Sequence, residues 1–357
     1  MWRDLSQLAS EAVRLPEVVA DRCVHSLCEQ ATCRRCVDAC PTGAWVIDDD
    51  HLGIDTARCD GCGLCAPVCP QSAVIVDREP LLGREEGRIL AMLGCRPALP
   101  QASGEGVVPC IHALGERGLA RMAAVGVSRI LLATADCAQC PRGRVTRLGE
   151  RVLGVNRLLA SRGLATLELA SLGAANWLSK RERLKPEAGP SLDRRSFLRR
   201  GLRLGLERAV ERLGLAEAER QAVRAPSRFL PAGPEPGVAP VAPRIEPARC
   251  TGCDACIRLC PQGALVLDAT SPEPCYRLVP DDCTGCGLCV DVCADRAIAL
   301  EPWASAVPTQ LALAQGTCRD CGVSFHRPAA GDCGGDHERC PVCERTRHRR
   351  NLFQVYD

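Results

Sequence analysis

The chain has 357 residues, of which 27 are cysteine and only 3% are aromatic, and its formal net charge is +2. This length allows two or three domains. The nearly balanced charge excludes the strongly basic composition typical of nucleic-acid-binding proteins, and we expect no nucleic-acid partner. Because few aromatic side chains are available to fill cores, we expect bound metal to contribute to the stability of small domains.

The N-terminal segment, for which we predict a helix over residues 1–22, has scattered charges and no apolar core of the kind that a signal peptide needs. No apolar run elsewhere reaches the length of a membrane span, so we expect no transmembrane segment. These features predict a cytoplasmic protein. In a reducing compartment, closely spaced cysteines indicate metal binding rather than disulfides.

Two regions, residues 23–84 and 249–302, each contain two closely spaced groups of cysteines. The clearest groups are "CDGCGLCAPVCP" (59–70) and "CTGCDACIRLCP" (250–261). In the spacing C-x2-C-x2-C-x3-C-P, the first three thiolates bind three irons of one [4Fe-4S] cluster, and the fourth ligates the neighbouring cluster. Each region therefore predicts a pair of clusters with exchanged ligands.

This logic assigns ligands to three clusters. Structural zinc is the alternative, but zinc prefers two separate C-x2-C pairs to four cysteines within twelve residues. Ala294 replaces the proline that usually follows the fourth cysteine, and we expect this change to alter the turn more than the ligation. The three predicted ligand sets are Cys250, Cys253, Cys256 and Cys293; Cys283, Cys286, Cys289 and Cys260; and Cys59, Cys62, Cys65 and Cys40.

The fourth cluster has an open ligand set. The stretch "CRRCVDACP" and the following group supply Cys33, Cys36 and Cys69, but no cysteine lies three residues before Cys33. Either Cys28 or Cys23 must complete the set. The entropy of loop closure depends too weakly on loop length to choose between them.

These two regions resemble bacterial-type dicluster ferredoxin domains. The resemblance implies four [4Fe-4S] clusters in the chain and low-potential transfer of single electrons.

For residues 85–175, between the two regions, the sequence predicts a small α/β domain. The runs "VVPC" and "RILLA" are short and apolar, as buried parallel strands are, and leucines at helical spacing follow them. In a β-α-β arrangement, loops after the strands meet at the carboxyl edge of the sheet. We expect four cysteines to converge at this edge, and they are Cys95, Cys110, Cys137 and Cys140.

Three interpretations of these four cysteines stay open: a [2Fe-2S] cluster, a redox dithiol at "CAQC", or buried thiols without a site. The segment is similar to the delta subunit of methyl-viologen-reducing hydrogenase, although "CAQC" is a tighter pair than that family shows. The resemblance implies a [2Fe-2S] cluster and partners such as a hydrogenase, a formate dehydrogenase or a flavin-containing reductase. No G-x-G-x-x-G follows a strand, so we expect no flavin or nicotinamide in this chain.

Two further segments lead to the second cysteine-rich region. Residues 191–224 predict an arginine-rich amphipathic helix. Its "SLDRRSFLRRGL" looks like a twin-arginine signal, but the motif is internal and charged residues follow it. Residues 225–248 have a proline every few positions and no periodicity, which predicts an extended linker.

Residues 314–350 contain two C-x2-C pairs separated by eighteen residues, the spacing of a tetrahedral zinc site. The segment resembles a zinc ribbon, and "CPVC" is also similar to rubredoxin, in which four thiolates bind one iron. The predicted ligands of this zinc or single iron are Cys318, Cys321, Cys340 and Cys343, with His326, Cys333 and His337 as substitutes.

Together these patterns predict an α+β multidomain protein: two dicluster ferredoxin modules, a small parallel α/β domain between them, and a zinc ribbon. We expect an electron-transfer protein that works with redox protein partners. No catalytic triad, phosphate loop or carboxylate pair indicates an active site. The alternatives are a reductase that acts on a thiol, disulfide or sulfur compound at Cys137 and Cys140, and an assembly factor for a redox enzyme.

Overall fold

The computed structural model describes eight stretches of the chain: residues 15–47, 52–76, 80–142, 148–184, 223–233, 236–269, 273–329 and 338–346. The strands are β1 (Glu17–Val18), β2 (Trp45–Ile47), β3 (Leu52–Ile54), β4 (Val74–Ile75), β5 (Leu81–Glu85), β6 (Arg88–Cys95), β7 (Val107–Val108), β8 (Val127–Ala133), β9 (Glu168–Ser171), β10 (Val238–Ile245), β11 (Leu265–Asp268), β12 (Cys275–Leu278), β13 (Ile298–Ser305), β14 (Thr309–Thr317) and β15 (Ser324–Pro328). The helices are α1 (Val24–Leu27), α2 (Arg35–Asp38), α3 (Glu116–Ala124), α4 (Leu148–Ser161), α5 (Ala174–Arg183), α6 (Ala255–Arg258), α7 (Leu288–Asp291) and α8 (Pro341–Thr346).

The chain divides into two compact units. One consists of Met1–Cys23 and Arg34–Pro234, and the other of Val24–Cys33 and Glu235–Asp357. Over the stretches that the structure describes, none of the helices is both long enough and apolar enough to span a lipid bilayer.

The cysteine-rich part of the first unit is built on two small antiparallel sheets. Strand β1 pairs with β4, and β2 pairs with β3. Apolar side chains, including those of Trp45 and Leu52, pack with cysteines in one buried cluster. Sheets this small bury little apolar surface, so their stability depends on additional interactions.

The second unit repeats this plan with longer strands. Here β10 pairs with β13 and β11 with β12, both antiparallel, so the two cysteine-rich regions share one topology. The second sheet then continues through β14 and β15. Because β14 begins at Thr309 and pairs with β12, the predicted ribbon of residues 314–350 shares a sheet with the second cysteine-rich region.

A five-stranded sheet occupies the middle of the first unit. Strands β6, β8 and β9 are parallel neighbours, β7 pairs in parallel with β6, and β5 forms an antiparallel hairpin with β6. The β8-α4-β9 connection joins parallel strands through a helix, as the alternation of strand and helix patterns predicts. The carboxyl ends of β6, β7 and β8 therefore lie at one edge of the sheet.

The core of this sheet extends beyond the predicted boundaries of 85 and 175. Trp177 on α5 is fully buried, and its indole N–H donates a hydrogen bond to the Leu131 carbonyl oxygen (3.3 Å). Leu81 and Leu184 belong to the same apolar cluster. The sequence pattern does not indicate α5, because its lysine and arginine residues mask the apolar face that Trp177 supplies.

The proline-rich segment is structured rather than an extended linker. Its first part, Pro226–Phe229, forms a 3-10 turn that packs against α3. Its second part is strand β10, which contains Pro240 and Pro243. Proline is tolerated in this strand because each strand of a two-stranded sheet has one unpaired edge. On that edge the absence of a proline N–H costs no hydrogen bond within the sheet.

The predicted helix at the N-terminus is described only over residues 15–22, which form β1 and a 3-10 turn at Ala20–Arg22. Most of the predicted arginine-rich helix, with both arginines of its "RR" motif, lies outside the described residues. The same is true of Cys333 and His337.

Strand β15 lies directly over a cysteine loop of the second unit. A β-carbon built on Gly252 would be 2.1 Å from the carbonyl oxygen of His326, and the φ of Gly252 is +73°. Both the close approach and the left-handed backbone require glycine at this position.

We predict that Gly252→Ala strongly destabilises the second unit, because the new methyl group collides with backbone that cannot rotate away. Gly263→Ala is the matched control, since Gly263 also has a positive φ (+65°) but open space around it. The control is expected to cost only the left-handed strain, about 1–2 kcal/mol. Anaerobic thermal unfolding of both variants measures the difference, and equal losses would contradict the close packing.

Candidate metal centres

Left-handed residues shape the loops that carry the first three cysteines in three of the four groups. In the second unit these residues are Gly252, Asp254, Gly285 and Gly287, with φ between 62° and 93°. Glycine adopts this region without strain, and aspartate is one of the few other residues that tolerate it. The corresponding positions in "CDGCGLC" are Gly61 and Gly63, which also have positive φ.

One pocket in the second unit is lined by the first three cysteines of the later group and the last cysteine of the earlier one. Its cysteines are Cys283, Cys286, Cys289 and Cys260.

A second pocket shows the reciprocal combination. Its cysteines are Cys250, Cys253, Cys256 and Cys293. The helices α6 and α7, which follow the two loops, carry the chain from each group's third cysteine towards the fourth. The cysteines thus lie in the crossed arrangement that the C-x2-C-x2-C-x3-C spacing predicts.

The turn after each fourth cysteine has the same form in all four groups. Its third residue has a positive φ, whether that residue is glycine (Gly43, Gly263), serine (Ser72) or arginine (Arg296). In three of the groups the next backbone N–H donates a hydrogen bond to the sulfur of the cysteine. These bonds run from Ala44 to Cys40 (3.3 Å), from Ala73 to Cys69 (3.2 Å) and from Ala297 to Cys293 (3.2 Å).

Such N–H···S hydrogen bonds favour the anionic form of sulfur, and they are one of the features that tune the potential of iron–sulfur clusters. The turn after Cys293 has this bond although Ala294 stands where the other groups have proline. The expectation that Ala294 alters the turn is therefore wrong. The residue after the cysteine contributes no hydrogen bond to the turn, so alanine can replace proline there.

Six of the nine cysteines of the first region lie in two buried clusters. Cys23, Cys36 and Cys65 are buried together, and Cys40 and Cys69 pack against them. Cys62 belongs instead to a small cluster with Leu64 and Cys110.

Of the two alternatives for the open ligand position, Cys23 is 7% exposed and belongs to the larger cluster with Cys36. Cys28 is half-buried. The cluster does not include Cys33 among the described residues. The structure thus brings Cys23, Cys36 and Cys69 together.

Burial makes several of these thiols hard to ionise. It raises the pKa of Cys62 and of Cys65 to about 12, and for Cys65 the neighbouring sulfurs of Cys62 and Cys40 add to the effect. In the second unit, burial and neighbouring cysteines raise the pKa of Cys256 to about 12. A buried thiolate needs a compensating positive charge, which a metal cluster supplies.

A third pocket lies at the carboxyl edge of the middle sheet. Cys95 ends β6, Cys110 follows β7, and the "CAQC" pair follows β8, so the topology brings distant cysteines together. Cys95 and Cys110 are buried, whereas Cys137 and Cys140 are half-buried. The pocket is lined by all four cysteines and by His112, Asp136 and Arg142.

His112, which sequence analysis did not single out, is held in one orientation in this pocket. Its Nδ1 accepts a hydrogen bond from the backbone N–H of Leu148 (3.3 Å), and its Nε2 lies 3.5 Å from the sulfur of Cys137. Burial and the nearby charge of Arg151 lower the pKa of His112, so the ring is neutral at pH 7. The proton is then on Nε2, which donates to Cys137.

Arg142 and Asp60 connect the third pocket to the "CDGC" loop of the first region. The Arg142 guanidinium donates to the Asp60 carboxylate (2.5 Å) and to the Pro109 carbonyl oxygen (3.1 Å). The other oxygen of Asp60 accepts the backbone N–H of Cys62 (3.0 Å). Burial acts to raise the pKa of Asp60, but these hydrogen bonds and the charge of Arg142 outweigh it and lower the pKa.

The fourth cysteine site lies at the end of the described chain. Cys318 and Cys321 follow β14, and Cys340 and Cys343 flank the start of α8. The four sulfur atoms lie within 4.8 Å of one another. The distance between the sulfurs of Cys321 and Cys340 is 3.8 Å, and sulfurs that bind one tetrahedral ion at about 2.3 Å have this separation. The arrangement can hold a single metal ion.

His326 belongs to a different network from this fourth site. Its Nε2 donates to Asp254 (2.8 Å), and the Tyr276 hydroxyl donates to the same carboxylate oxygen (2.6 Å). Asp254 lies between two of the cysteines that line the second pocket. The expected substitute role of His326 as a metal ligand therefore does not match its position, which joins β15 to the cysteine loop.

Comparison with known proteins agrees with the two cysteine-rich regions. Family models described as 4Fe-4S dicluster domains match residues 27–74 and 249–297. An uncharacterised ferredoxin of Methanocaldococcus jannaschii is 39% identical over 56 residues, which is 90% of that protein and 15% of this chain.

Two further relatives are named as components of larger assemblies. The pyruvate synthase subunit PorD of Methanothermobacter marburgensis is 38% identical over 64 residues, 67% of that protein and 18% of this chain. A component of the ion-translocating oxidoreductase complex of Methanosarcina acetivorans is 36% identical over 53 residues, and the matched part is 20% of that protein and 14% of this chain.

The family-model matches cover both cysteine-rich regions. The second has the crossed cysteine pockets, and both have the repeated turns and the N–H groups directed to sulfur. The chain belongs to the 4Fe-4S dicluster ferredoxin family, of which it contains two domains, and it is an iron–sulfur electron-transfer protein.

Proposed function

We propose that this chain relays single electrons between redox proteins through four [4Fe-4S] clusters and one further centre in its middle domain. The observation that carries the proposal is the crossed lining of the two pockets in the second unit. Cysteine thiolates in this arrangement fit two cubic clusters with exchanged ligands, and each cluster supplies reversible one-electron chemistry when bound.

The chain's own residues support this role in three ways. Burial keeps several of the ligand thiols, including Cys36, Cys62, Cys65, Cys283 and Cys289, away from water. The turns after the fourth cysteines direct N–H groups to sulfur, which stabilises charge on the ligands. The left-handed residues fix the backbone of the cysteine loops, so the loops can keep one shape in both oxidation states of a cluster.

For the first region we propose Cys40, Cys59, Cys62 and Cys65 as one ligand set. For the other we propose Cys33, Cys36 and Cys69 together with Cys23. The burial of Cys23 beside Cys36 supports the choice of Cys23 over Cys28.

The middle pocket fits a metal centre better than a reactive dithiol. Burial and the neighbouring sulfurs of Cys95 and Cys140 raise the pKa of Cys137, whereas a thiol that attacks disulfides needs a lowered pKa. The four cysteines come from three strands and provide enough thiolates for a [2Fe-2S] cluster. Relay rather than reduction of a sulfur substrate is therefore the function that we propose for Cys137 and Cys140.

For the last cysteine site we propose structural zinc. The sulfur separations suit one tetrahedral ion, which joins the β14–β15 hairpin to α8. We further propose a cytoplasmic location, since a reducing compartment keeps cluster ligands as thiols. Redox proteins are the proposed partners, and two relatives named as components of redox assemblies support this choice.

The metal content of the anaerobically purified chain tests the proposal. We expect about sixteen irons from four cubes, about two more from the middle centre, and one zinc. Elemental analysis combined with electron paramagnetic resonance (EPR) of the reduced chain measures these quantities. A colourless chain that contains zinc alone would disprove the relay function.

The choice between Cys23 and Cys28 is tested by two matched variants. Cys23→Ser is expected to lose about four irons, or to show an altered EPR signal from one cube, because it removes a ligand. Cys28→Ser should retain the iron content and the spectrum of the parent chain. The reverse result would assign the ligand to Cys28.

Reaction with iodoacetamide tests whether the buried cysteines are ligands. In the metal-loaded chain at pH 8, Cys62 and Cys65 should stay unmodified, because both are buried and a thiolate bound to iron does not react as a free nucleophile. Mass spectrometry of peptides measures the modification. Fast modification of Cys62 would contradict its role as a ligand.

A further inference from the structure

The middle pocket and the ligand loop of Cys62 are in contact within the first unit. Cys110, which lines the middle pocket, packs with Cys62 and Leu64 in a buried apolar cluster. Leu64 has no exposed surface, and the two cysteines are 6% and 7% exposed. Cysteines of two different candidate sites thus lie in one buried apolar cluster.

A single ion pair lies beside both sites. Arg142 lines the middle pocket, and its guanidinium donates to the carbonyl oxygen of Pro109, the residue before Cys110. Asp60, its partner, accepts the N–H of Cys62. Only 22% of the Arg142 side chain and 29% of the Asp60 side chain are exposed, so solvent screens this pair less than a surface pair.

Other contacts fix the middle domain against the same cysteine region. Arg117 on α3 donates to the carbonyl oxygens of Cys69 (3.1 Å) and Pro70. A β-carbon built on Gly115 would be 2.9 Å from the side chain of Pro67. The approach of Cys110 to Cys62 thus depends on a rigid packing and not on one side chain.

Given the proposed function, on which this inference rests, we propose that Cys62, Leu64 and Cys110 form the internal electron-transfer contact between the first region and the middle centre. Arg142 and Asp60 act as positioning residues that set the charge at both ends of this contact. The middle domain is then electrically connected to the ferredoxin module of its own unit.

The proposed step is a transfer of one electron. The site that includes Cys62 is oxidised by one electron while the site that includes Cys110 is reduced by one, or the reverse. No covalent bond forms or breaks, and no proton is transferred. The electron comes from an external one-electron donor, for which dithionite serves in the experiment.

Two variants of the full metal-loaded chain test the shared charge pair. Arg142→Gln removes a positive charge that favours the reduced state, so the reduction potentials of both centres should fall. Asp60→Asn removes a negative charge, so both potentials should rise. Redox titration followed by EPR measures the potential of each centre separately. If the pair had only a structural role, the two variants would not shift both potentials in opposite directions.

The control uses an exposed ion pair of the same domain, formed by Arg129 on β8 and Glu168 on β9. Arg129→Gln and Glu168→Gln make the same changes of charge on the exposed face of strands in the same sheet, and they should leave both potentials unchanged. In the parent chain, reduction of the cube should also raise the microwave power that saturates the EPR signal of the middle centre. This relaxation effect reports the proximity of the two centres without any substitution.

The outcomes separate this inference from the proposed function. If iron analysis and EPR show all centres, but Arg142→Gln and Asp60→Asn shift only one potential or neither, the inference is wrong and the relay function stands. The inference is also wrong if the saturation of the middle signal does not depend on the cube. If the iron content shows no middle centre, both the inference and that part of the proposed function are wrong.

Discussion

The structure depends on one constraint, which is that sulfur atoms are buried where they cannot carry a negative charge alone. Burial raises the pKa of Cys62, Cys65 and Cys256 to about 12 and that of Cys110 to about 11. A thiolate at such a position needs a compensating positive charge, although a neutral thiol does not. Metal clusters supply this charge, and the small sheets around them could not form comparable cores from apolar side chains alone. The ligands of the proposed function are therefore also part of what holds the chain folded.

The two ferredoxin regions form the same turn after each fourth cysteine, but with different residues. A left-handed residue follows each fourth cysteine at the third position, and it is glycine, serine or arginine. The strained backbone at Ser72 and Arg296 persists because the turn it forms delivers an N–H group to sulfur. What repeats in this chain is the backbone path around the sulfurs rather than the sequence.

The cysteine spacing made the ligand groups predictable, because the residues that form each loop are close in sequence. The sheet edge that collects Cys95, Cys110, Cys137 and Cys140 also followed from the strand pattern. Contacts between side chains that are distant in sequence could not be predicted in this way. Nothing in the sequence near Arg142 indicates Asp60, eighty-two positions away, as its partner. Nothing in the sequence near His112 indicates its contact with Cys137 either. The proline signals around Pro240 and Pro243 predicted a linker, whereas pairing with β13 makes this segment a strand.

Strand β14 belongs to two structures at once, since it pairs with β12 of the ferredoxin module and ends at the first cysteine of the last site. Its hairpin partner, β15, lies against Gly252 of the first cysteine loop. The four-cysteine site and that loop are therefore linked through one hairpin. A change in the pairing of β14 with β15 would reach both of them.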